Sequence, residues 1–173
     1  MFHSRYAIIS GVYCSKSRFE EILLVMVPSD NSGKGAGSDK EAVKLNGAPC
    51  VLVIDDEELI REVASMMVEE EGGKVLVASN GKQAIDIFQQ HKDSIDCVFS
   101  DFSMPAMNGY EVYLELDKLK SGVPFVLVSG LKSVAEVEEL RRTGRIEFLS
   151  KPFHQVELVK AINRARDSRS AAK

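Results

Sequence analysis

From residue 49 onward, short continuous apolar runs alternate with longer stretches whose apolar residues recur every three or four positions. The first run, Cys50-Val51-Leu52-Val53-Ile54, has no polar position to turn toward water, as a strand buried on both faces requires. Residues 58–70 follow with Leu59, Ile60, Val63, Ala64 and Met67 at helical spacing, and Gly72-Gly73 ends that helix. A second strand is expected over 75–78. Asn80-Gly81 marks a turn, and a helix with Ala84, Ile85 and Phe88 on one face comes next. A third strand is expected over 95–100, and a helix over 109–119 with Val112, Leu116 and Leu119 spaced for burial. The fourth strand is read over 123–128, and the next helix over 134–142 with Val134, Val137 and Leu140 on one side. The fifth strand is short, 146–149, and the last helix, 156–166, is apolar at Leu158, Ala161, Ile162 and Ala165.

Five strands alternating with five helices predict an α/β fold, a doubly wound parallel sheet with helices on both faces. Ligands in such a sheet sit outside the carboxyl ends of the strands. The residues that end the strands therefore carry the functional question.

The chain before residue 49 has a different pattern. Residues 1–28 are moderately apolar and end in Ile22-Leu23-Leu24-Val25-Met26-Val27 and Pro28, enough for one strand. Residues 29–48 are rich in Gly, Ser and mixed charge, a linker composition with little to bury. The expected division is an uncharacterised segment 1–28, a flexible linker 29–48, a domain 49–167 and a tail 168–173.

Composition narrows the function classes. With 45% apolar and 28% charged residues, the 173-residue chain can bury a core. A net charge of −4 gives no general attraction for nucleic acid. The basic C-terminal residues Lys160, Arg164, Arg166, Arg169 and Lys173 read as a solvated helix face, so no specific nucleic-acid binding is expected. Cys14, Cys50 and Cys97 are odd in number and far apart, which fits reduced thiols in a cytoplasmic protein. No apolar run approaches the roughly 18 residues that span a bilayer. The apolar stretch 6–14 lacks a small-residue cleavage site, so neither a membrane nor an export role is expected.

The chemically active residues fall at the same ends of the strands. Strand one ends in Asp55-Asp56-Glu57, strand three in Asp101, strand four in Ser129-Gly130, and strand five runs into Lys151-Pro152-Phe153. Clustered carboxylates repel one another and need a cation or raised pKa values. Oxygen-only ligands suit Mg²⁺. Lys151 adds a fixed positive charge, Ser129 a hydroxyl, and Gly130 room for a phosphoryl oxygen. Asp101, at the centre, is the candidate nucleophile for an acyl phosphate. Asp55 and Asp56 also have the plainer reading of helix caps. Phe148 reads either as strand core or as a functional aromatic. His91 and His154 lack ligand partners and read as structural.

The segments Val51-Leu52-Val53-Ile54-Asp55-Asp56-Glu57, Asp101-Phe102-Ser103-Met104-Pro105-Ala106-Met107-Asn108-Gly109, Val128-Ser129-Gly130 and Lys151-Pro152-Phe153 together resemble the signature of response-regulator receiver domains. The resemblance covers residues 50 to 167 and implies a flavodoxin-like strand order 2-1-3-4-5. It implies phosphorylation on Asp101 and a Mg²⁺ site formed by Asp55, Asp56, Asp101 and the Ser103 backbone carbonyl. It also implies a phosphate-contacting Lys151, switch residues Ser129 and Phe148, and a cis Lys151-Pro152 bond. The implied partners are a histidine kinase or histidine phosphotransfer protein and an unidentified downstream protein. The chain would then be a signalling phosphoacceptor rather than an enzyme on other substrates, standing alone or ending a hybrid kinase.

Two other functions on such a sheet fit less well. A haloacid-dehalogenase-like phosphatase wants a second Asp two residues after the nucleophile, where this chain has Ser103. A nucleotide or flavin binder wants a Gly-rich loop after strand one, where Asp55-Asp56-Glu57 would repel phosphate. The chain departs from the receiver pattern at Gly144-Arg145, where a small pair is usual. Leu131 cannot orient a water, which leaves the phosphate lifetime open.

Overall fold

A computed structural model describes residues 43–130 and 146–170. The strands are β1 (Cys50–Ile54), β2 (Lys74–Ala78), β3 (Cys97–Asp101), β4 (Phe125–Ser129) and β5 (Ile146–Ser150). They form one parallel sheet of order β2-β1-β3-β4-β5. The helices among the described residues are α1 (Glu58–Glu70), α2 (Gly81–His91), α3 (Gly109–Leu119) and α4 (Gln155–Ser170). The expected helix over 134–142, the N-terminal segment 1–28, Gly144-Arg145 and Leu131 lie outside the described residues.

The doubly wound sheet of order 2-1-3-4-5 is thus present. α1 and α4 pack on one face, while α2 and α3 pack on the other. β3 and β4 are buried at every position, as strands covered on both sides must be. Leu52, Ile54, Phe88, Leu116, Phe125 and Leu127 are fully buried in the core against α2 and α3. Each such side chain contributes about 1.5–3 kcal/mol on burial.

Local chemistry explains the helix ends. α1 stops in a Schellman arrangement: Gly73 N–H bonds Val68 O and Gly72 N–H bonds Glu69 O, both at 3.0 Å, with Gly72 at φ +84°. Asn80 caps α2 by accepting from Gln83 N–H at 2.9 Å. Asn108 and Glu111 form a reciprocal capping box at the start of α3.

Strand limits differ from the sequence reading where burial and pairing part company. Ile95 and Val123 are buried but precede the ladders of β3 and β4, which run on to Asp101 and Ser129 instead. The last helix continues to Ser170, past the expected end of the domain. Residues 44–46, read as flexible linker from their composition, lie against α4. Asn163 Nδ2 donates to Lys44 O at 2.9 Å, Asn46 N–H donates to Asn163 Oδ1 at 3.0 Å, and Arg166 donates to Asn46 O at 2.7 Å. Leu45 is buried beside Gly73. One apolar side chain and three long-range bonds are enough to hold so short a stretch, whatever its composition.

Candidate phosphoacceptor and metal site

The sheet register assembles the site. Ile54 pairs with Ser100, so Asp55 and Asp101 follow at the same level of adjacent strands. Asp101 pairs with Val128, one residue before Ser129, and Ser129 pairs with Ser150, one residue before Lys151. Four neighbouring strands therefore deliver Asp55, Asp101, Ser129 and Lys151 to one edge of the sheet. The Lys151-Pro152 bond is cis, as the resemblance implied.

Asp55, Asp101 and Ser129 are the buried polar side chains at this edge, with Ser100 beneath them. Lys151 Nζ lies 2.8 Å from Asp101 Oδ1 and 3.0 Å from Asp55 Oδ2. Each carboxylate is also held by the main chain: Glu57 N–H donates to Asp55 Oδ1 at 2.9 Å, and Ser103 N–H donates to Asp101 Oδ2 at 2.8 Å. The Asp55 bond is an Asx turn ahead of α1 and not a helix cap, since the N-cap is Glu57 and no side chain caps that end. Lys151 N–H bonds Ser129 O at 2.9 Å, tying β5 to β4 at the site.

The two sides of the ion pair are affected unequally. Burial pushes the Asp55 carboxyl up, and the Lys151 ammonium and Glu57 N–H only partly offset it, with Asp101 adding repulsion. Burial also opposes the charged form of Lys151, but the Asp101 and Asp55 carboxylates outweigh it and raise the ammonium's pKa. The asymmetry has a simple cause: the ammonium has two carboxylates, whereas Asp55 shares one ammonium. Asp55 is also the drier partner, its side chain 2% exposed against 23% for Lys151.

The expected convergence of Asp55, Asp56 and Asp101 is only partly met. Asp55 and Asp101 are joined through Lys151, but Asp56 lies exposed, because adjacent residues leaving a strand point apart. Among the described residues no three His, Cys, Asp or Glu side chains are grouped tightly enough to hold a metal as they stand. The donor set nevertheless fits Mg²⁺. It is all oxygen, and two buried carboxylates share a single ammonium, with Asp56 at the rim. Ser103 is exposed and fixed by its N–H on Asp101. A Cβ at Gly130 would meet nothing within 4 Å, so space there does not depend on glycine. Phe148 is half-buried and packs against the core, which leaves both readings of it in place.

In the sequence Pro105 and Gly109 read as loop-shaping residues after Asp101, but the turn between them was not foreseen. Met107 N–H bonds Pro105 O at 2.8 Å across Ala106, whose φ is +65°. This is a γ-turn, a strained conformation for a residue with a Cβ. It brings Gly109 against Asp101, so closely that a Cβ there would lie 2.2 Å from Asp101 O. Pro105 and Gly109 are the sequence signals of this loop.

The response regulator receiver domain model matches residues 51–163. Sensor kinase CckA of Brucella abortus is 30% identical over 123 residues, 71% of this chain and 13% of that protein. Response regulator SaeR of Staphylococcus aureus is 31% identical over 113 residues, 65% of this chain and 48% of that protein. The chain spans half or less of the length of these curated relatives. Among solved structures, a receiver domain protein of Clostridium thermocellum superposes with a TM-score of 0.67 at 29% identity, covering 72% of this chain and 99% of that one. Chemotaxis protein CheY4 of Vibrio cholerae gives 0.62 at 27% identity, covering 68% and 98%. The chain belongs to the response regulator receiver domain family, the phosphoacceptor family of two-component signalling. Receiver domains bind Mg²⁺ at an acidic pocket and interact with histidine kinases and downstream effectors. No helix among the described residues is long and apolar enough to cross a membrane.

Proposed function

We propose that this chain takes a phosphoryl group from a histidine kinase or histidine phosphotransfer protein onto Asp101, and that the modified site alters its preference for a downstream protein. One observation carries this reading: a buried aspartate at the central strand end whose carboxylate oxygen lies 2.8 Å from a lysine ammonium shared with a second buried aspartate. An Asp101 oxygen attacks phosphorus, the phosphorus–nitrogen bond of the donor imidazole breaks, and its electron pair stays on that nitrogen. Lys151 neutralises charge on the transferred group. Asp55, Asp56, Asp101 and the Ser103 carbonyl would hold Mg²⁺, which supplies further charge neutralisation when bound. Ser129 lies one residue beyond the Asp101 level, and its hydroxyl would donate to a phosphoryl oxygen, a charge-assisted bond of about 1.5–3 kcal/mol. Phe148, half-buried in β5 opposite Leu127, is the candidate aromatic to respond when Ser129 engages the phosphoryl group.

The sequence proposes a segment 1–28, a connection 29–48, a domain 49–167 and a tail 168–173, and we extend that domain at both ends. The contacts of residues 44–46 and the length of α4 favour a folded unit reaching from Lys44 to Ser170. A cytoplasmic, Mg²⁺-dependent phosphoacceptor that modifies only itself is the role consistent with these features.

Mass spectrometry after incubation with acetyl phosphate and Mg²⁺ tests the reading. One adduct is expected, labile to hydroxylamine, absent with a chelator and absent in Asp101→Asn. Equal, hydroxylamine-resistant labelling of Asp101→Asn would overturn it.

A further inference from the structure

β1 pairs with both neighbours through Ile54, and the Asp55 N–H still reaches Ala78 O at 3.3 Å. The Asp55 carbonyl lies just beyond this ladder. The backbone of α1 folds back on Glu57, through the Arg61 N–H at 3.0 Å from Glu57 O. The Asp55 carbonyl is met instead by a side chain: Arg61 Nη1 donates to it at 2.7 Å from a half-buried position.

That carbonyl belongs to the peptide joining Asp55 to Asp56. The Asp55 side chain is already fixed by Glu57 N–H and Lys151. Among the described residues nothing comparable fixes Asp56, whose side chain is exposed. The orientation of the peptide plane sets the direction in which Asp56 leaves the strand, and one end of that plane rests on the guanidinium.

We propose that Arg61 is a positioning residue for the acidic pair, holding the Asp55–Asp56 peptide so that both carboxylates serve one divalent cation. This deepens the Mg²⁺ reading of the site and rests on it. Arg61 touches neither the metal oxygens nor Asp101 in the bonds that define its place. Its bond is to a main-chain carbonyl, and its effect passes through the pair.

Charge and position make opposite predictions here. A guanidinium near the pair repels Mg²⁺, so if charge were all it supplied, its removal would tighten metal binding. If it positions the pair, its removal loosens binding. Outer partners of metal ligands typically govern about tenfold or more in affinity.

The test is Mg²⁺ titration of the full chain, followed by amide NMR, for wild type, Arg61→Met and Arg61→Lys. Arg61→Met keeps the helix and much of the side-chain volume, and is expected to bind Mg²⁺ about tenfold more weakly. Arg61→Lys keeps the charge and one donor and is expected to recover most of that loss. Equal or tighter binding by Arg61→Met overturns the proposal. A second readout needs no metal: the Asp56 and Glu57 amide resonances should shift in Arg61→Met while those of β3 stay in place. Unchanged Asp56 and Glu57 amides overturn the proposal even if wild type itself fails to bind Mg²⁺, an outcome that would sink the metal reading separately.

Discussion

Lys151 Nζ lies 3.0 Å from Asp55 Oδ2, a contact between side chains 96 positions apart in the sequence. The same ammonium reaches Asp101, so one cation serves two buried carboxylates. Any metal that binds these carboxylates competes with it for the same oxygens.

Lys151→Met should therefore bind Mg²⁺ more tightly than wild type, by about tenfold or 1.4 kcal/mol, even though the metal-free fold is weakened. Removing one partner of a buried pair costs about 3–5 kcal/mol, and the low end applies because the lysine side chain is 23% exposed. Mg²⁺ should raise the melting temperature of the variant more than that of wild type, since it replaces the missing charge. Calorimetric titration and thermal melts with and without a chelator check both halves. Weaker Mg²⁺ binding by the variant would mean that Lys151 does not compete with the metal.

The pKa directions give a stability profile with a definite sign. The folded-state pKa of Lys151 is raised above its ordinary 10.5 by Asp101 and Asp55, against the opposing effect of burial. The stability it contributes is fully present below 10.5 and is lost as pH rises through the raised folded value. Chemical denaturation of metal-free wild type and Lys151→Met should show a stability gap that is constant from neutral pH up to 10.5 and shrinks at higher pH. Asp55, whose pKa is raised by burial, runs opposite to an ordinary salt-bridged carboxylate: its protonation as pH falls favours the folded state. A gap that widens above 10.5 would contradict the assignment.

Much of this site was legible because its parts end strands. Apolar runs located β1, β3 and β4 and the shorter β5, and these strands end at or within two residues of Asp55, Asp101, Ser129 and Lys151. The pattern could not separate Asp55 from Asp56, since adjacent carboxylates look alike until the chain's exit from the strand buries one and exposes the other. Nor could it reveal the Arg61 bond to a main-chain carbonyl or the Asn163 contact with residues 44–46, because neither carries a periodicity. Ile95 and Val123 misplaced two strand starts because apolar patterning reports burial, and both residues are buried without joining the ladder.

Gly109 allows a sharper test of how Asp101 is held. At an ordinary first-turn helix position, Gly→Ala gains up to about 1 kcal/mol. Here the added Cβ would lie 2.2 Å from Asp101 O and 2.7 Å from Leu127 Cδ1, and the backbone atom cannot rotate away. Gly109→Ala is expected to destabilise by about 1–3 kcal/mol and to slow labelling of Asp101. Gly130→Ala is the control: its Cβ would meet nothing within 4 Å, so its stability should stay within about 0.5 kcal/mol of wild type. Equal denaturation midpoints for Gly109→Ala and wild type would show that the loop can yield.

The contact of residues 44–46 with α4 leads to the last prediction. Asn163 donates to Lys44 O and accepts from Asn46 N–H, so one amide side chain reads two backbone groups, while Arg166 takes Asn46 O. These bonds lie near the surface, and water can replace each of them, so Asn163→Ala alone should cost about 0.5–1 kcal/mol. Leu45 is different. It is 6% exposed, and truncation to alanine removes most of a buried leucine, which is worth about 1.5–3 kcal/mol. The bonds hold the leucine in place and the leucine dries the bonds, so the double variant should lose less than the sum of the singles. All of this happens before β1, at the end of the sheet opposite Asp101. Mg²⁺ affinity and Asp101 labelling should therefore be unchanged in the three variants when measured well below their denaturation midpoints. Urea denaturation of the full chain measures the stability terms. A Leu45→Ala midpoint identical to wild type would show that residues 44–46 are a passive leader to the sheet and not part of its packing.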